Sequence, residues 1–495
     1  MSSGSAVIGP FWGGLESRHA GRYPLSVERH ALVQVARLLP GVTTVTPHAR
    51  YFTLHALVAH EAHRRGLVAA EAQELLRRAE VVLAAITLKH GAHPGMSAPH
   101  GADIIRAAMS SGSLDIAQLS RPGTYAQASW GFWGPYRGSE SLLGLTKWEA
   151  SNIAPGVGLK LDEVRVALEP VLDLAAHDVV DNGDLGACLG CCVCGCADAA
   201  DGRLLRGLLV PTNPDPRSNG GRRSATIRLI LRILQLHEVR SVTRDAWPIL
   251  AYDQSLTDDP LCASLDIADA WRGVVLRNRS VLAWRDLWAE LVNSIAGLTT
   301  IASLGDVLAE ALPSGTVDSY CESLPDVGDR DRLLPAEIDP ALVARNVLDR
   351  SLALLLLGGS RVQRLPDRVA AYFQDPSEGM QELAPSWVAE MRAEWSARSL
   401  PDFARWLVGV LVARSQRIAL MKASFSRKSG TFRVPARVFV RDGLIFRDSS
   451  ESGGAVSLRW DQLTSVMAGA GLCLASRTDE ALVWRPTQRG EALLG

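Results

Sequence analysis

The sequence predicts a mainly α, multi-domain helical protein that ends in a small α+β unit opened by a hairpin. Three observations lead there. Apolar residues recur at helical spacing over most of the chain. Short apolar runs around an Asp-Gly pair mark the last seventy residues as different. The length of 495 residues, at about 150 per domain, gives room for two to four cores without disulfides or metals as staples.

Taken in order, Ser26 can cap a helix carrying Leu32, Val35, Ala36 and Leu39, which Pro40-Gly41 ends. Thr46-Pro47 opens a second helix through Phe52, His55 and Ala59 to Arg65. A third runs from Val68 to Lys89, with Leu75, Leu76, Ala79, Val82, Leu83 and Ile86 on one face. Periodicity fails between Ser110 and Ser139, where Tyr125 to Arg137 mixes aromatics with glycines as a structured loop does. Helical pattern returns from Leu161 to His177, and Pro211 to Gly221, dense in proline, asparagine and glycine, reads as a linker. Ser224 to Glu238, Val281 to Ile295, Leu304 to Leu312, Pro340 to Leu357 and Pro401 to Ser424 come next as helices, with Gly358-Gly359 as a stop signal. Ala436 to Arg441 and Leu444 to Asp448 flank Asp442-Gly443 as a hairpin. The expected domains are residues 1–210, 222–424 and 425–495.

Composition narrows the function. The chain is 47% apolar and 21% charged, with 52 basic and 53 acidic side chains, which argues against wholesale disorder and against a charged tail protein. Only five of the basic residues are lysines (Lys89, Lys147, Lys160, Lys422, Lys428), so arginine abundance reflects coding bias as much as nucleic-acid contact. Met1 to Gly14 has no basic stretch before an apolar one, and the longest apolar run, Leu352 to Leu357, is far short of the roughly 18 residues of a membrane span. A cytoplasmic protein with no membrane partner and with reduced cysteines is expected.

Familiar catalytic motifs are absent. There is no Gly-Lys-Ser/Thr, no Gly-x-Gly-x-x-Gly after a strand, no Gly-x-Ser-x-Gly and no His-Glu-x-x-His. The lysines have Thr87, Leu145, Gly158, Leu420 and Ser426 two residues before them, so the carboxylate-x-lysine pattern of many nucleases is absent too. The balance therefore leans away from an enzyme.

Five of the eight cysteines fall within nine residues, as Cys188-x-x-Cys191-Cys192-x-Cys194-x-Cys196. Such spacings let thiolates converge on Zn²⁺, and Cys188, Cys191, Cys194 and Cys196 could close a tetrahedral site. The alternative is a turn packed with small apolar side chains. Nine of eleven histidines lie in the first hundred residues. His60 and His63 share a helix face, and His90-x-x-His93 could converge with Glu61 or Asp103 on a metal that activates water, the chemistry of a hydrolase. Trp130, Trp133 and Tyr136 could stack bases, or plug one helical layer against another.

Between residues 414 and 448 nine basic residues face two acidic ones. Arg414, Arg417, Lys422, Arg427, Lys428, Arg433 and Arg437 are candidate phosphate contacts, against the alternative of a solvated helix face and hairpin edge. In the tail, Leu458 to Ala468 reads as a helix, Ala470-Gly471-Leu472 leads on, two strands flank Arg477-Thr478-Asp479-Glu480, and Thr487-x-x-Gly490-x-x-Leu493 opens a last helix. These residues, fewer than forty, resemble the second half of a winged helix-turn-helix, although a Ser/Gly loop and hairpin stand where that family has its first two helices. The resemblance implies Arg477 on the wing, Arg459 near the recognition helix, and contacts to phosphate. The whole reads as a nucleic-acid- or partner-binding component of a bacterial multi-protein system such as phage defence. A metal-dependent hydrolase and a purely protein-binding scaffold are the other two readings.

Overall fold

The computed structural model describes residues 23–91, 94–374, 382–426, 430–477 and 481–495. The fold is mainly α, with small antiparallel sheets of two or three strands. No helix among the described residues is long and apolar enough to cross a membrane.

The chain divides into two units, each discontinuous in sequence. One takes Met1–Gln34 and Asp269–Val456, the other Val35–Ala268 and Ser457–Gly495. This differs from the three consecutive segments expected from the sequence, for a local reason. The Pro211 to Gly221 stretch is a tight corner inside one unit rather than a linker. Ser218 caps the Asn219–Leu236 helix by accepting from the Gly221 amide at 3.0 Å. Arg223 then donates back to the carbonyls of Leu208 and Leu209, closing the corner onto the preceding helix.

In the unit containing residues 269–456, an apolar cluster of described residues is built round Trp284, Trp288 and Leu291 of the long Asp266–Ser294 helix and the Val347–Arg361 and Leu400–Met421 helices. Its three-stranded sheet has Leu444–Arg447 in the centre, flanked by Val438–Arg441 and Leu298–Thr300. Asp442 and Gly443, at φ 51° and 77°, make the tight turn that the Asp-Gly pair signals. Arg361, fully buried, is paired with Glu337 at 2.6 Å and also donates to the Val327 and Leu334 carbonyls, so its charge is compensated on all sides.

The other unit is built on two long helices, Ala49–Arg65 and Ala69–His90, joined through Gly66 in the left-handed region. Alanine at many positions lets them pack closely, and both are buried over most of their length. The Asp162–Ala175 and Ala200–Leu209 helices pack against them, as does the Trp460–Gly469 helix of the tail. The tail strands Cys473–Arg477 and Leu482–Pro486 pair in antiparallel register, and the Trp484 amide donates to the Val239 carbonyl.

Candidate metal and thiol site

The cysteine-rich segment folds as two short 3₁₀ turns, Leu189–Cys191 and Val193–Asp198. Had the turn been continuous, Cys188, Cys191 and Cys194 would have stacked at its three-residue period. Cys192 instead takes an extended conformation, φ −62° and ψ 160°, which re-aims the turn carrying Cys194 and Cys196. The four sulfurs expected to share a zinc therefore do not meet. Cys191 donates to the Ala167 carbonyl, and Cys196 is buried beside Arg50 and Asp201. Cys188 lies near Asp184 and Asp173, where burial first and those carboxylates second push its thiol up. Burial likewise raises Cys191 and, strongly, Cys196.

Among the described residues, the one group of donors able to hold a metal ion is His90, Cys192 and Cys194, whose ligand atoms all lie within 4.8 Å of one another. Cys194 Sγ is 3.1 Å from His90 Nδ1, and Cys192 and Cys194 are paired as a disulfide. Cys192 is buried, and Cys194 is half-buried at the edge of a cavity of about 280 Å³ whose lining includes Leu88, Met96, Pro99, Arg106 and Val193. The sequence pattern singles out the cysteine cluster but leaves out Cys192, and it groups His90 with the histidines. The missing link is tertiary, since His90 ends a helix 104 residues from Cys194.

What fixes the cysteine loop is Arg50 on the Ala49–Arg65 helix. Its guanidinium, fully buried, pairs with Asp201 through two nitrogens at 2.8 and 3.1 Å and donates to the carbonyls of Gly190 and Cys192 at 2.7 and 2.6 Å. The Val193 amide donates to Thr87 Oγ1 at 3.2 Å. Arginine suits this post because its planar fork satisfies a carboxylate and two carbonyls at once.

The remaining amino-terminal histidines do not form a ligand set among the described residues. His55, wholly buried, donates from Nδ1 to Glu140 at 2.6 Å and from Nε2 to Glu80 at 2.8 Å. Burial opposes the charge on this imidazole, but Glu140 and Glu80 outweigh it and raise its pKa to about 9. Tyr125 donates to Glu80, and Trp133 and Thr146 donate to Glu140. His48 donates to the Ala98 carbonyl, and burial lowers its pKa to about 4. His100, stacked on Phe132, is lowered to about 3 by burial and by the neighbouring His48 and His55. His60 is half-buried and His63 exposed; Glu61 is fully buried and tied to Arg64, Arg65 and Arg165. Asp103 is exposed and faces Arg106, and His93 lies outside the described residues.

The aromatic segment covers this histidine cluster, and from Trp133 to Leu143 it is a helix rather than the loop expected from the sequence. Trp133 and Tyr136 are buried, and Phe132 donates its amide to Glu80. Gly131, at φ 51°, lets the backbone pass so close to the Glu80 carboxylate that any Cβ there would collide with it. Trp130 is half-buried against Trp133.

The basic residues are largely engaged inside the unit that carries them. Arg414 donates to the Leu25 carbonyl and pairs with Glu382, which also pairs with Arg417. Lys422 reaches the Tyr23 carbonyl, and Arg437 bonds Ser449. Arg427 and Lys428 lie outside the described residues, and Arg433 is described only as the end of the Thr431–Arg433 strand. In the tail, Arg459 donates to the Val42 carbonyl at 2.9 Å, and burial lowers its pKa. The Trp460–Gly469 helix it precedes buries Trp460, Leu463, Val466 and Met467. Arg477 is exposed at the end of its strand. No family model, curated protein or solved structure matches this chain.

Proposed function

We propose that the chain is a zinc-binding protein whose metal is held by His90, Cys192 and Cys194 in their reduced form. The convergence of one imidazole and two sulfurs within 4.8 Å carries this reading. Two thiolates and a neutral imidazole are the donor chemistry that zinc prefers, and three protein ligands leave a fourth position for water or a small ligand. The Arg50 clamp supports it further, because a metal loop must be oriented by groups outside the ligand set. The test is zinc content of the reduced full chain after dialysis against a slight excess of zinc. One zinc per chain is expected, kept by Cys188→Ser and lost by His90→Ala and by the double variant Cys192→Ser/Cys194→Ser. A wild-type chain that takes up no zinc, or a double variant that keeps it, overturns the reading.

A second reading, nucleic-acid binding, is favoured by the hairpin of Ser424–Ser426 and Thr431–Arg433. Phe425 and Phe432 stand directly opposed across it, 61% and 42% exposed, inside the basic segment. Exposed, opposed rings are suited to stacking on single-stranded bases. Anisotropy titration with labelled single-stranded DNA and RNA is expected to show binding that weakens about tenfold or more from low to moderate salt, and weakens again in Phe425→Ala/Phe432→Ala. Binding that ignores salt, or no binding, ends this reading.

A further inference from the structure

We infer that Cys194 and Cys192 form a dithiol–disulfide couple that exchanges with a small-molecule disulfide admitted by the cavity beside Cys194. The inference uses sulfurs of the proposed zinc site but does not depend on the metal.

The two cysteines differ in the way such a couple requires. Cys194 is half-buried and lines the cavity of about 280 Å³, so an incoming disulfide can reach its sulfur. Cys192 is 1% exposed, shielded from solvent, yet joined to Cys194 with the two Cα atoms 5.4 Å apart, a separation within the range disulfides span. His90 Nδ1 lies 3.1 Å from Cys194 Sγ. The cavity lining combines the apolar Leu88, Met96, Pro99 and Val193 with Arg106, whose cation suits a carboxylate. Glutathione disulfide carries carboxylates on both halves.

Exchange proceeds in two balanced steps. The Cys194 thiol loses its proton to solvent, and the thiolate attacks one sulfur of the substrate disulfide. A Cys194–substrate disulfide forms, and the other half leaves as a thiolate that recovers a proton. Cys192, losing its own proton, then attacks Cys194 Sγ, which forms the Cys192–Cys194 bond and expels the second half as a thiol. The substrate is reduced by two electrons and the protein dithiol is oxidised by two.

The test treats the reduced full chain, stripped of metal by a chelator, with glutathione disulfide, and follows acid-quenched intact mass with peptide mapping. The wild type is expected to lose two hydrogens at Cys192 and Cys194 without accumulating an adduct. Cys192→Ser should trap one glutathione on Cys194. Cys194→Ser should form no disulfide at this segment, and Cys188→Ser should match the wild type. Cystamine, which is cationic, should react more slowly than glutathione disulfide, and Arg106→Ala should narrow that difference. Glutathione found on Cys188 or Cys321 with Cys194 untouched, or no trapped adduct in Cys192→Ser, overturns the couple. Because metal is absent from this assay, its outcome is independent of zinc uptake, so the two ideas fail separately.

Discussion

At the scale of single residues, His55 carries a charge that is wholly buried in its unit. An imidazolium sits between two carboxylates with no exposed surface, and one of those carboxylates, Glu140, has its pKa raised by burial even though His55, Thr146 and Trp133 all pull it down. His55 keeps its proton to about pH 9 in the folded chain, against about 6.5 when unfolded. A raised pKa means that the folded state binds the proton more tightly, so the stabilisation is complete below about pH 6.5 and disappears as pH rises through about 9. The raised pKa of Glu140 acts in the same direction at lower pH. Denaturant unfolding from pH 6 upward is therefore expected to show stability falling across this window by an amount on the order of 3 kcal/mol. In His55→Gln, overall stability should drop by about 3 to 5 kcal/mol, since two buried carboxylates lose their cation, and the slope from this site should vanish. A variant that retains the wild-type slope would assign the titration to another group.

At the scale of elements, what the sequence reveals is set by how local the cause is. The two long helices of the histidine-bearing unit, Ala49–Arg65 and Ala69–His90, fall within a few residues of their expected limits because apolar spacing marks their faces and the chain chemistry marks their ends. The Val438–Arg441 and Leu444–Arg447 hairpin arises from Asp442-Gly443 for the same reason. Gly358-Gly359 shows the limit. As a local signal it reads as a helix stop, yet the helix runs on to Arg361, because the missing side chains admit neighbours. A Cβ on Gly358 would press on Ser280, and one on Gly359 would sit about 3.1 Å from the Ala389 backbone nitrogen. Glycine here serves close packing, which no local pattern encodes. The cysteine segment divides in the same way. Its composition marks it as unusual, but which sulfurs converge depends on the extended Cys192 and on Arg50, Thr87 and His90 reaching it from distant helices. The missed third strand, Leu298–Thr300, is likewise three residues whose partner lies about 145 positions further on.

At the scale of the whole molecule, each unit is closed by stretches far apart in sequence, and this bears on whether the tail folds by itself. A winged-helix module would be expected to stand by itself, leaving the rest of the chain folded when it is removed. Instead, Trp460, Leu463, Val466 and Met467 are buried in the unit of Val35–Ala268 and Ser457–Gly495. Their helix packs against Ala49–Arg65, Val242–Tyr252 and the turn that carries Cys194 and Cys196. Gly469 lies so near Ala49 that a side chain on it would collide. Four large side chains at about 1.5 to 3 kcal/mol each amount to roughly 6 to 12 kcal/mol of burial, comparable to the whole stability of an ordinary domain, about 5 to 15 kcal/mol. A fragment of residues 35–268 is therefore expected to lack a cooperative thermal transition and near-ultraviolet dichroism. The same fragment joined through a flexible Gly/Ser linker to residues 457–495 is expected to regain both. A fragment of 35–268 that melts cooperatively on its own would mean that the tail is a separate module after all, and would return Arg477 and its strand to the role that the winged-helix resemblance implies.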